Sequence, residues 1–579
     1  MHKASPKIIV VGAGAAGMSA ALAAVEEGAS VTLLSLAEPF RASSARLREG
    51  IAAALDTAGE GDTAAMHAAE TLRCGDYLAH EKRVKGMCDA APGIVELLAR
   101  MGVGFDRTAE GAIRLGKCGG ATKRRLARAG RSTGVQVLTA LAGQILHAQS
   151  AERVHVMPGW EFISLIIDDS GACRGVVAQN LRNMEIRPLA ADAVIICAGG
   201  YPALLAKHAA SVESDGAAIA ACYAQGAAVA NPEFVQFSPY AIDAAGKLRA
   251  LPESSLAEGG SVWVERDGRP WHVLEEFFHE SSGLVPRDIA TRALWKAVRD
   301  AALTPDSRAN AFVDITQLDP DAAAQLVAPF LDACDALAEL DALREPVRIE
   351  PAVFATMGGL WVDARHASNI PGLFAAGGSA CQYHGACIMA GNELLASIYG
   401  GMVAGRYAAC TAERSGRAAD SVSSDLMNAA KGREEDVVAH IAAQEGSENA
   451  HLIGRELGEL LVESVWLEKD NAVLKKALEK IDELGSRFSK AQLPDRAEWA
   501  NAELPFMRRM RRRFDLARLI VAASLGRDES RGAHFKPALP LRDDAKWHCI
   551  TRGTWSASGP VLDFSERVEI EAELQKREY

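Results

Sequence analysis

Three glycines near the start of the chain have a spacing suited to holding a pyrophosphate. Gly12, Gly14 and Gly17 form a GxGxxG pattern, with Ala13 and Ala16 between them. In such a pattern the first glycine permits a tight turn, the second lets backbone approach the pyrophosphate, and the third allows a helix to pack closely on a strand. The phosphates would then lie at the positive end of that helix. The pattern predicts a dinucleotide site and leaves FAD and NAD both open.

The segments around these glycines are the elements that would position them. The apolar run 8–11 is typical of a parallel strand buried on both faces, and the alanine-rich segment 18–25 is typical of a helix. A second strand is predicted at 29–34, and Ser35 stands where an acid commonly binds a ribose hydroxyl. A bare glycine-rich turn is the alternative interpretation of the pattern. The two strands and the helix, at suitable distances, favour dinucleotide binding.

Two further apolar segments, 191–197 and 372–376, each lead into a pair of glycines. A glycine pair after a strand lets backbone pass close to a bound ligand. Together these segments predict a nucleotide domain in two parts, residues 1–240 and 350–412. The intervening residues 241–349 would form an inserted domain.

After about residue 411 the chain is charged and follows the 3.6-residue period of amphipathic helices. We expect a helical domain over 413–540 and an extended tail over 541–579. One predicted helix carries a dense basic run, Arg508, Arg509, Arg511, Arg512 and Arg513. A solvated helix face is favoured for this run over a docking site for an acidic partner.

The composition of the 579 residues narrows the class of protein. Hydrophobic residues make up 49% and charged residues 24%, which is typical of a folded globular chain and excludes a disordered one. A net charge of -12 disfavours binding to nucleic acid. The 11 cysteines are dispersed and include no CxxC pair, so we expect neither a disulfide framework nor a metal or iron–sulfur site in this chain. A reducing cytoplasm fits this pattern.

Motifs spread over nearly the whole chain carry a resemblance to a known family. They include Pro39-Phe40-Arg41, Glu233-Phe234-Val235-Gln236-Phe237, Thr356-Met357-Gly358-Gly359, His384-Gly385-Ala386 and Glu529-Ser530-Arg531-Gly532-Ala533-His534. With the GxGxxG pattern, they make the chain resemble the flavoprotein subunits of succinate dehydrogenases and fumarate reductases, a family to which the aspartate oxidases also belong. The resemblance implies FAD as cofactor. It also implies an α/β fold class, with a Rossmann-type FAD-binding domain split by an inserted α+β capping domain and followed by a helical domain and a tail.

The resemblance assigns roles to three side chains. In this family a hydride passes between flavin N5 and one carbon of a C–C bond, while an arginine in a Pro-Arg-Asp motif handles the proton on the neighbouring carbon. Arg287 matches that arginine, Glu253 matches the relay glutamate, and His384 would hold a polar end of the substrate or a flavin carbonyl. A guanidinium is a poor acid in water, so this role needs a dry site and a carboxylate. The alternatives are a structural ion pair of Arg287 with Asp288, a purely electrostatic anchor, and a buried His384 with structural hydrogen bonds only.

Several positions depart from the family pattern. Ser43 stands where a histidine attaches FAD covalently, so FAD is expected to bind noncovalently. Residues that grip a dicarboxylate or extend the proton relay in the family are replaced here by Ser238, Pro252, Leu256, Phe354 and Ile388. A second carboxylate in a closed site needs a cationic partner. Succinate and fumarate are therefore expected to be poor substrates, and a bulkier, more apolar organic acid is expected to fit better.

The motifs imply a set of contacts to cofactor and substrate. The expected cofactor-binding residues are Gly12, Ala13, Gly14, Ala16, Gly17, Ser35, Arg41, Ser43, Ser44, Gly50, Thr133, Ala198, Gly199, Asp215, Gly377, Asn392, Glu393 and Leu394. The expected substrate pocket consists of Phe354, Ser238, Tyr240, Cys387, Ile388 and Met389. The helix that begins near Asn392 should direct its N-terminus at the flavin carbonyl and stabilise negative charge on the reduced ring. For Cys387, a small buried apolar role is favoured over a redox role.

Three functions remain open from the sequence. The first is an FAD-dependent oxidoreductase subunit that acts on the C=C or CH–CH unit of an organic acid, with Arg287 as proton donor or acceptor. The second is a flavin-bearing electron-transfer or assembly subunit with a vestigial catalytic pocket. The third, a stand-alone oxidase, is disfavoured because aspartate oxidases keep dicarboxylate ligands that this chain lacks. The resemblance also implies an iron–sulfur protein as partner in a hetero-oligomeric complex and a cytoplasmic location, with a membrane reached only through partner subunits.

Overall fold

A computed structural model describes residues 5–577, apart from residues 254, 255, 257, 279–284, 303–308 and 417. The expected capping domain and the expected tail therefore each include a few residues outside the described part of the chain. Within the described residues the named strands form five sheets.

The longest strands lie in the inserted region, and several strands elsewhere have only two or three residues. In chain order they are β1 (Lys7–Val11), β2 (Ser30–Ser35), β3 (Ile51–Ala52), β4 (Leu115–Gly116), β5 (Leu126–Ala127), β6 (Val154–Pro158), β7 (Trp160–Ile167), β8 (Cys173–Asn180), β9 (Ile186–Ala190), β10 (Ala193–Ile196), β11 (Val229–Ala230), β12 (Val235–Ala244), β13 (Lys247–Ala250), β14 (Ser261–Arg266), β15 (Arg269–Trp271), β16 (Ala311–Asp314), β17 (Val347–Thr356), β18 (Gly359–Trp361), β19 (Leu373–Ala375), β20 (Ala380–Cys381), β21 (Arg552–Thr554) and β22 (Val561–Asp563).

The α-helices alternate with strands in the first half of the chain and dominate after residue 391. They are α1 (Ala15–Glu26), α2 (Ala64–Cys74), α3 (Glu81–Arg100), α4 (Thr133–Ser150), α5 (Ala217–Ala224), α6 (Val273–Phe278), α7 (Arg287–Asp300), α8 (Pro320–Leu326), α9 (Ala328–Ala338), α10 (Asn392–Ser415), α11 (Ser424–Ala442), α12 (Ala450–Val465), α13 (Asn471–Phe488), α14 (Glu503–Gly526) and α15 (Asp544–Trp547). Over the described residues, none of the helices combines the length and the apolar character needed to cross a bilayer.

The sheet that carries the glycine motif is parallel, with the strand order β19-β10-β1-β2-β6. Strand β1 lies between β10 and β2, and Val10 is opposite Ile195 on one side and Leu33 on the other. Residues 8–11 of β1 are buried, as a continuous apolar run predicts. Helices α1 and α10 pack closely on each other and contact β1 and β10. The strand, glycine turn and helix predicted at the start of the chain are confirmed.

The inserted region contains a six-stranded antiparallel sheet with the order β13-β12-β17-β16-β14-β15. Its core includes side chains of α7 and α9. Strands β12 and β17 run through residues 240 and 350, where the expected domain boundaries lie. The exact domain limits therefore stay a prediction. The same two strands carry Ser238 and Phe354, which places both residues where this sheet approaches the nucleotide domain.

Most of the basic run on α14 is buried or half-buried, although Arg511 is exposed. The Arg508 side chain is buried and donates to Gln179 Oε1 at 2.5 Å and to Glu161 Oε2 at 2.6 Å. Arg513 pairs with Asp215 at 2.7 Å. The solvated interpretation is wrong for these arginines because the helical domain uses them to attach to the nucleotide domain.

Residues after 540 fold back onto the rest of the molecule. Strand β21 pairs with β11 and β22 pairs with β21, so this segment completes a sheet that also contains β18 and β20. Further along, Arg577 donates to the Cys74 carbonyl at 2.7 Å and pairs with the buried carboxylate of Asp288. The expected tail therefore packs against the rest of the molecule, where short regular elements and the Arg577 side chain hold it in place.

Candidate active site

A groove lies at the carboxyl end of β1, over the N-terminus of α1. Glycines form its floor because neighbouring backbone leaves no room for side chains. A Cβ added to Gly12 would lie 2.3 Å from the Cys197 oxygen, and one added to Gly17 would lie 1.7 Å from the Gly12 oxygen. Gly12 also has φ of +103°, which L-residues rarely adopt. Gly17 therefore packs against the backbone of the turn, and Gly14 faces the groove.

Most of the expected cofactor contacts line this groove. They are Gly12, Ala13, Gly14, Ala16, Ser35, Arg41, Ser43, Ser44, Ala198, Gly199, Asp215 and Gly377. The Ser44 hydroxyl accepts from the Ala15 backbone N–H at 3.3 Å, which holds the 3₁₀ turn Ser43–Arg46 against the helix N-terminus. Bare backbone, small side chains and a helix N-terminus are the features that a bound pyrophosphate requires. The residues present therefore fit a dinucleotide.

A second cavity shares a wall with the groove, because Ser43, Ser44, Gly199 and Gly377 line both. Its other side is formed by Phe354, Thr356, His384, Ile388 and Glu393, among others. A flat ring attached to a nucleotide in the groove would enter here. The polar and apolar residues around this space fit a flavin ring and a small substrate.

His384 contributes an unused polar atom to this second cavity. Its Nδ1 is buried and has no hydrogen-bond partner among the described residues. Burial lowers the pKa of His384 to about 4, so the ring is neutral near pH 7. A neutral imidazole can donate or accept one hydrogen bond, which suits either of the two roles expected for it.

Arg287 is the first residue of α7, and Pro286 before it forms the cap position. Its Nε donates to Glu253 Oε1 and its Nη1 donates to Glu393 Oε1. The guanidinium carbon lies 5.1 Å from the centre of the Phe354 ring. Arg287 is only 5% exposed, so the guanidinium lies in the dry environment that proton transfer by arginine requires.

These residues line a third, smaller cavity beside the flavin-sized one. Its walls include Glu49, Gly50, Ser238, Glu253, Arg287, Phe354, Glu393 and Leu394. Phe354 and Glu393 belong to both cavities. The expected proton-handling pair and the space expected for the flavin ring are therefore adjacent.

Burial and charge act against each other around Arg287. Burial disfavours its charge, but Glu253 and Glu393 raise the pKa of Arg287 well above its usual value. Burial and the nearby Glu393 raise the pKa of Glu253, although Arg287 opposes this. Asp288, the next residue, is buried too, yet Arg577 and Arg292 lower its pKa. Asp288 therefore pairs with other arginines, and Arg287 pairs with glutamates.

Three expected cofactor residues, Gly17, Thr133 and Asn392, do not line any of these three cavities. Thr133 is fully buried and its hydroxyl accepts from the Ala129 N–H at 3.1 Å. Asn392 is also fully buried, and its side chain bonds to His67 Nε2 and Thr71 Oγ1, both at 2.9 Å. The hydrogen bonds of Thr133 and Asn392 hold the segment around Thr133 and the start of α10 in place.

Three expected substrate-pocket residues likewise lie off the cavity walls. Tyr240 packs in the core of the inserted domain. Cys387 and Met389 are buried in an apolar cluster that also contains Cys74 and Cys118. The Cys387 and Cys74 sulfur atoms are 3.9 Å apart. Ser238, Phe354 and Ile388 are the expected pocket residues that do line the cavities.

Charged residues that the sequence analysis did not select also lie at the site. Glu49 lines the Arg287 cavity, Arg46 lines both the Arg287 and flavin-sized cavities, and Arg509 of the helical domain lines the nucleotide groove. The signal for the first two was the run Arg46-Leu47-Arg48-Glu49, which introduces charge immediately before the apolar strand β3. Among the described residues, no group of His, Cys, Asp or Glu side chains is arranged to hold a metal ion.

Comparison with known proteins identifies the family. The FAD binding domain family matches residues 7–394, and the family described as fumarate reductase flavoprotein C-term matches residues 454–579. The succinate dehydrogenase flavoprotein subunit of Bacillus subtilis is 41% identical over 575 residues, which cover 99% of this chain and 98% of that protein. The fumarate reductase flavoprotein subunit of Haemophilus influenzae is 28% identical and covers 100% of this chain and 97% of its own length.

Solved structures agree on the fold. A variant of the Escherichia coli quinol fumarate reductase FrdA superimposes with a TM-score of 0.91 at 23% identity, covering 100% of this chain and 99% of that one. The Sdh1 complex of Mycobacterium smegmatis in its apo form gives a TM-score of 0.83 at 25% identity and covers 98% and 95% of the two chains. The expected α/β fold class is confirmed. The chain therefore belongs to the family of succinate dehydrogenase and fumarate reductase flavoprotein subunits, and it is an FAD-dependent oxidoreductase of CH–CH bonds.

Proposed function

We propose that this protein interconverts the CH–CH and C=C forms of an organic acid, and that Arg287 transfers the proton. The observation that carries the proposal is the buried contact of Arg287 with Glu253 in a cavity adjoining the flavin-sized space. Bound FAD would be held by the glycine groove and would supply the redox chemistry, since its ring exchanges a hydride with one carbon. Every other role falls to side chains of this chain.

The guanidinium of Arg287 is held by two carboxylates and keeps one nitrogen for the substrate. Nε and Nη1 donate to Glu253 and Glu393, and within the described residues Nη2 donates to no protein atom. In the reducing direction Arg287 would give a proton to the substrate carbon, and Glu253 would restore it. In the oxidising direction both transfers run in reverse.

The side chains around Arg287 support an acid with one carboxylate and an apolar remainder. Phe354 and Ile388 line the flavin-sized cavity, and Glu393 already occupies one face of Arg287. Apolar walls suit a hydrocarbon group, and among the described residues that line the flavin-sized cavity Arg46 is the only arginine or lysine left for a second carboxylate. Unsaturated monocarboxylates with an apolar remainder are therefore the substrates we propose, and crotonate is the simplest of them to test.

Succinate is the second candidate, and one specific observation favours it. The Bacillus subtilis relative that is 41% identical is named a succinate dehydrogenase subunit. The comparison gives no support to the expectation that succinate and fumarate are poor substrates. The two candidates predict different rankings of substrates by kcat/KM, so a direct assay separates them.

The assay uses the purified holoenzyme with reduced viologen as donor and fumarate or crotonate as acceptor, and with a dye acceptor and succinate in the other direction. We expect turnover of at least one acid and loss of turnover in Arg287→Ala with FAD retained. Retained activity in Arg287→Ala would contradict the role of Arg287. No turnover with any acid, together with a tightly bound partner, would favour the electron-transfer or assembly alternative.

We also propose that FAD binds noncovalently, because Ser43 lines the groove where the resemblance expects a histidine. Acid precipitation of the holoenzyme should leave the yellow colour in the supernatant. Colour that stays with the precipitated protein would contradict the proposal.

We further propose an iron–sulfur protein as partner, through which the chain would reach the cytoplasmic face of a membrane. The support is that several relatives are named as subunits, and that the 11 cysteines of this chain include no cluster motif. Native purification should yield a second protein with the absorption of an iron–sulfur cluster. A single chain with full activity toward its physiological donor would contradict it.

A further inference from the structure

Three carboxylates surround the single guanidinium of Arg287. Glu253 and Glu393 bond to it directly, and Glu49 belongs to the same cavity wall. Arg46 and Arg48 also line this cavity, but Arg287 is the positive charge that acts on Glu49, so ionisation of all three glutamates would place two further negative charges beside one buried ion pair. Such an arrangement is costly, so one carboxylate has to hold a proton.

Glu49 is the carboxylate best placed to hold that proton. Its Oε1 accepts from the backbone N–H of Glu253, and its Oε2 is buried without a hydrogen-bond partner among the described residues. Burial and the charge of Glu253 raise the pKa of Glu49 to about 7. A group with such a pKa can both donate and accept a proton near neutral pH.

The pKa of Glu49 depends on the charges around it, and Arg46 and Arg48 line the same cavity. The groups that act on this pKa are Glu253, Arg287 and Glu393. Its chain neighbour Arg48 pairs with Asp332 of α9. Cys118 is close to Glu49, and burial raises the pKa of that thiol to about 12, so it is neutral.

The route that the family resemblance would suggest is closed in this chain. The resemblance places a second relay arginine at position 256, where this sequence has leucine. Leu256 is 8% exposed and packs in the apolar core of the inserted domain. An alkyl side chain carries no proton, so proton exchange of Glu253 has to run on the side of the cavity that Glu253 and Glu49 both line.

We propose that Glu49 is this group, so that protons travel between the cavity and Arg287 through Glu49 and Glu253. This inference rests on the proposed function and adds a relay residue that acts through Glu253 without touching the substrate. In the reducing direction one proton passes per turnover, from cavity water to Glu49, from Glu49 to Glu253, from Glu253 to Arg287 and from Arg287 to the substrate carbon. The relay moves no electrons, since both reach the substrate with the hydride.

The first test is the pH profile of the holoenzyme, measured with reduced viologen and the acid that turns over fastest, fumarate or crotonate. For the wild type we expect kcat of reduction to fall above about pH 7 as Glu49 loses its proton. Glu49→Gln should lower kcat about tenfold or more, remove this inflection and leave KM and FAD content unchanged. Glu49→Asp should restore part of kcat and some inflection.

Glu258→Gln is the matched control. Glu258 is a nearly buried glutamate that pairs with Arg124, and its side chain has no described contact with Arg287. This variant should keep the wild-type profile. A Glu49→Gln enzyme with kcat within twofold of wild type and the same inflection would overturn the relay while leaving the proposed function intact.

The second test needs no turnover and remains decisive if a variant folds poorly. Infrared difference spectra of the wild-type holoenzyme between pH 5 and 9 should show a protonated carboxyl group that titrates near pH 7. The signal should be absent in Glu49→Gln and present in Glu258→Gln. Absence of the signal in the wild type overturns the relay, whereas failure of the wild type to reduce or oxidise any acid overturns the proposed function on which the relay rests.

Discussion

The nucleotide groove and the Arg287 cavity are adjacent, yet different kinds of chemical group form them. The floor of the groove is made of backbone, small residues and a helix N-terminus, and its glycines are required by contacts with neighbouring backbone. The cavity is made of charged and aromatic side chains from five separate segments, around residues 49, 253, 287, 354 and 393. Backbone recognition changes little when side chains change, and three of the expected departures from the family, Ser238, Pro252 and Phe354, line the cavity. Binding of the cofactor and choice of chemistry should therefore be separable by mutation.

The largest effect is expected for Arg287→Lys. Lysine keeps the positive charge but cannot bond to Glu253 and Glu393 through separate nitrogens as the guanidinium does. Turnover should fall about 10²- to 10³-fold, with FAD content unchanged. Arg299→Lys is the control, because Arg299 lies on the same helix with an exposed side chain. Loss of FAD from the Arg287 variant would break the separation between the two regions.

Glu49→Gln should also have a large effect, but as a gain in the free energy of unfolding. The pKa of Glu49 is raised from 4.5 to about 7, so between these values the folded state binds more protons than the unfolded state. The free energy of unfolding of the wild type therefore falls as pH rises through this window. The variant should gain up to about 3 kcal/mol relative to wild type between pH 4 and pH 8. Parallel denaturation midpoints of the two proteins at both pH values would contradict this.

The next effect belongs to the groove. A Cβ on Gly14 would lie 3.3 Å from the Ser44 hydroxyl, so Gly14→Ala should fold with small adjustments. The methyl group would occupy space that the pyrophosphate needs, and FAD affinity should fall about tenfold or more. Gly93→Ala, where the added Cβ meets no atom within 4 Å, is the control. Turnover per bound FAD should be unchanged, and a change there would link the groove to the chemistry.

The smallest effect is expected for Glu393→Gln. Removing one negative charge beside Arg287 frees the guanidinium for a substrate carboxylate. The KM for succinate or fumarate should fall about tenfold, which corresponds to about 1.4 kcal/mol. Steady-state assays with the dicarboxylates and crotonate measure the change. Release of FAD instead would assign Glu393 to the cofactor site and move the limit between the two regions.

The elements of the fold could be predicted where local pattern and tertiary packing agree. The apolar run 8–11, the glycine turn and the alanine-rich helix are each recognisable alone, and the helices at 450–465 and 471–488 follow a clear period. The segment after 540 could not be predicted, because its strands are three residues long and depend on pairing with β11. The arginines of α14 were misassigned because their carboxylate partners lie about 300 residues away in sequence.

The site could be predicted in part for the same reason. Arg287, Glu253 and Phe354 lie in motifs that the family resemblance identifies, and the structure brings them together. Glu49 has no such motif, and its importance arises only from its position beside Glu253 in a buried cavity. Tyr240 and Met389 were expected in the pocket from their neighbours in sequence, but the local backbone turns both into apolar cores.

The contact of Arg577 with Asp288 has a consequence for the order in which the protein is assembled. The two residues are 289 positions apart, and Asp288 is the neighbour of Arg287 on α7. Contacts between residues so distant in sequence form late, because a long loop must close first. During synthesis the start of α7 lacks this support until residue 577 has left the ribosome. Most of the chain can therefore fold before Arg287, the arginine proposed to transfer the proton, is fixed in position.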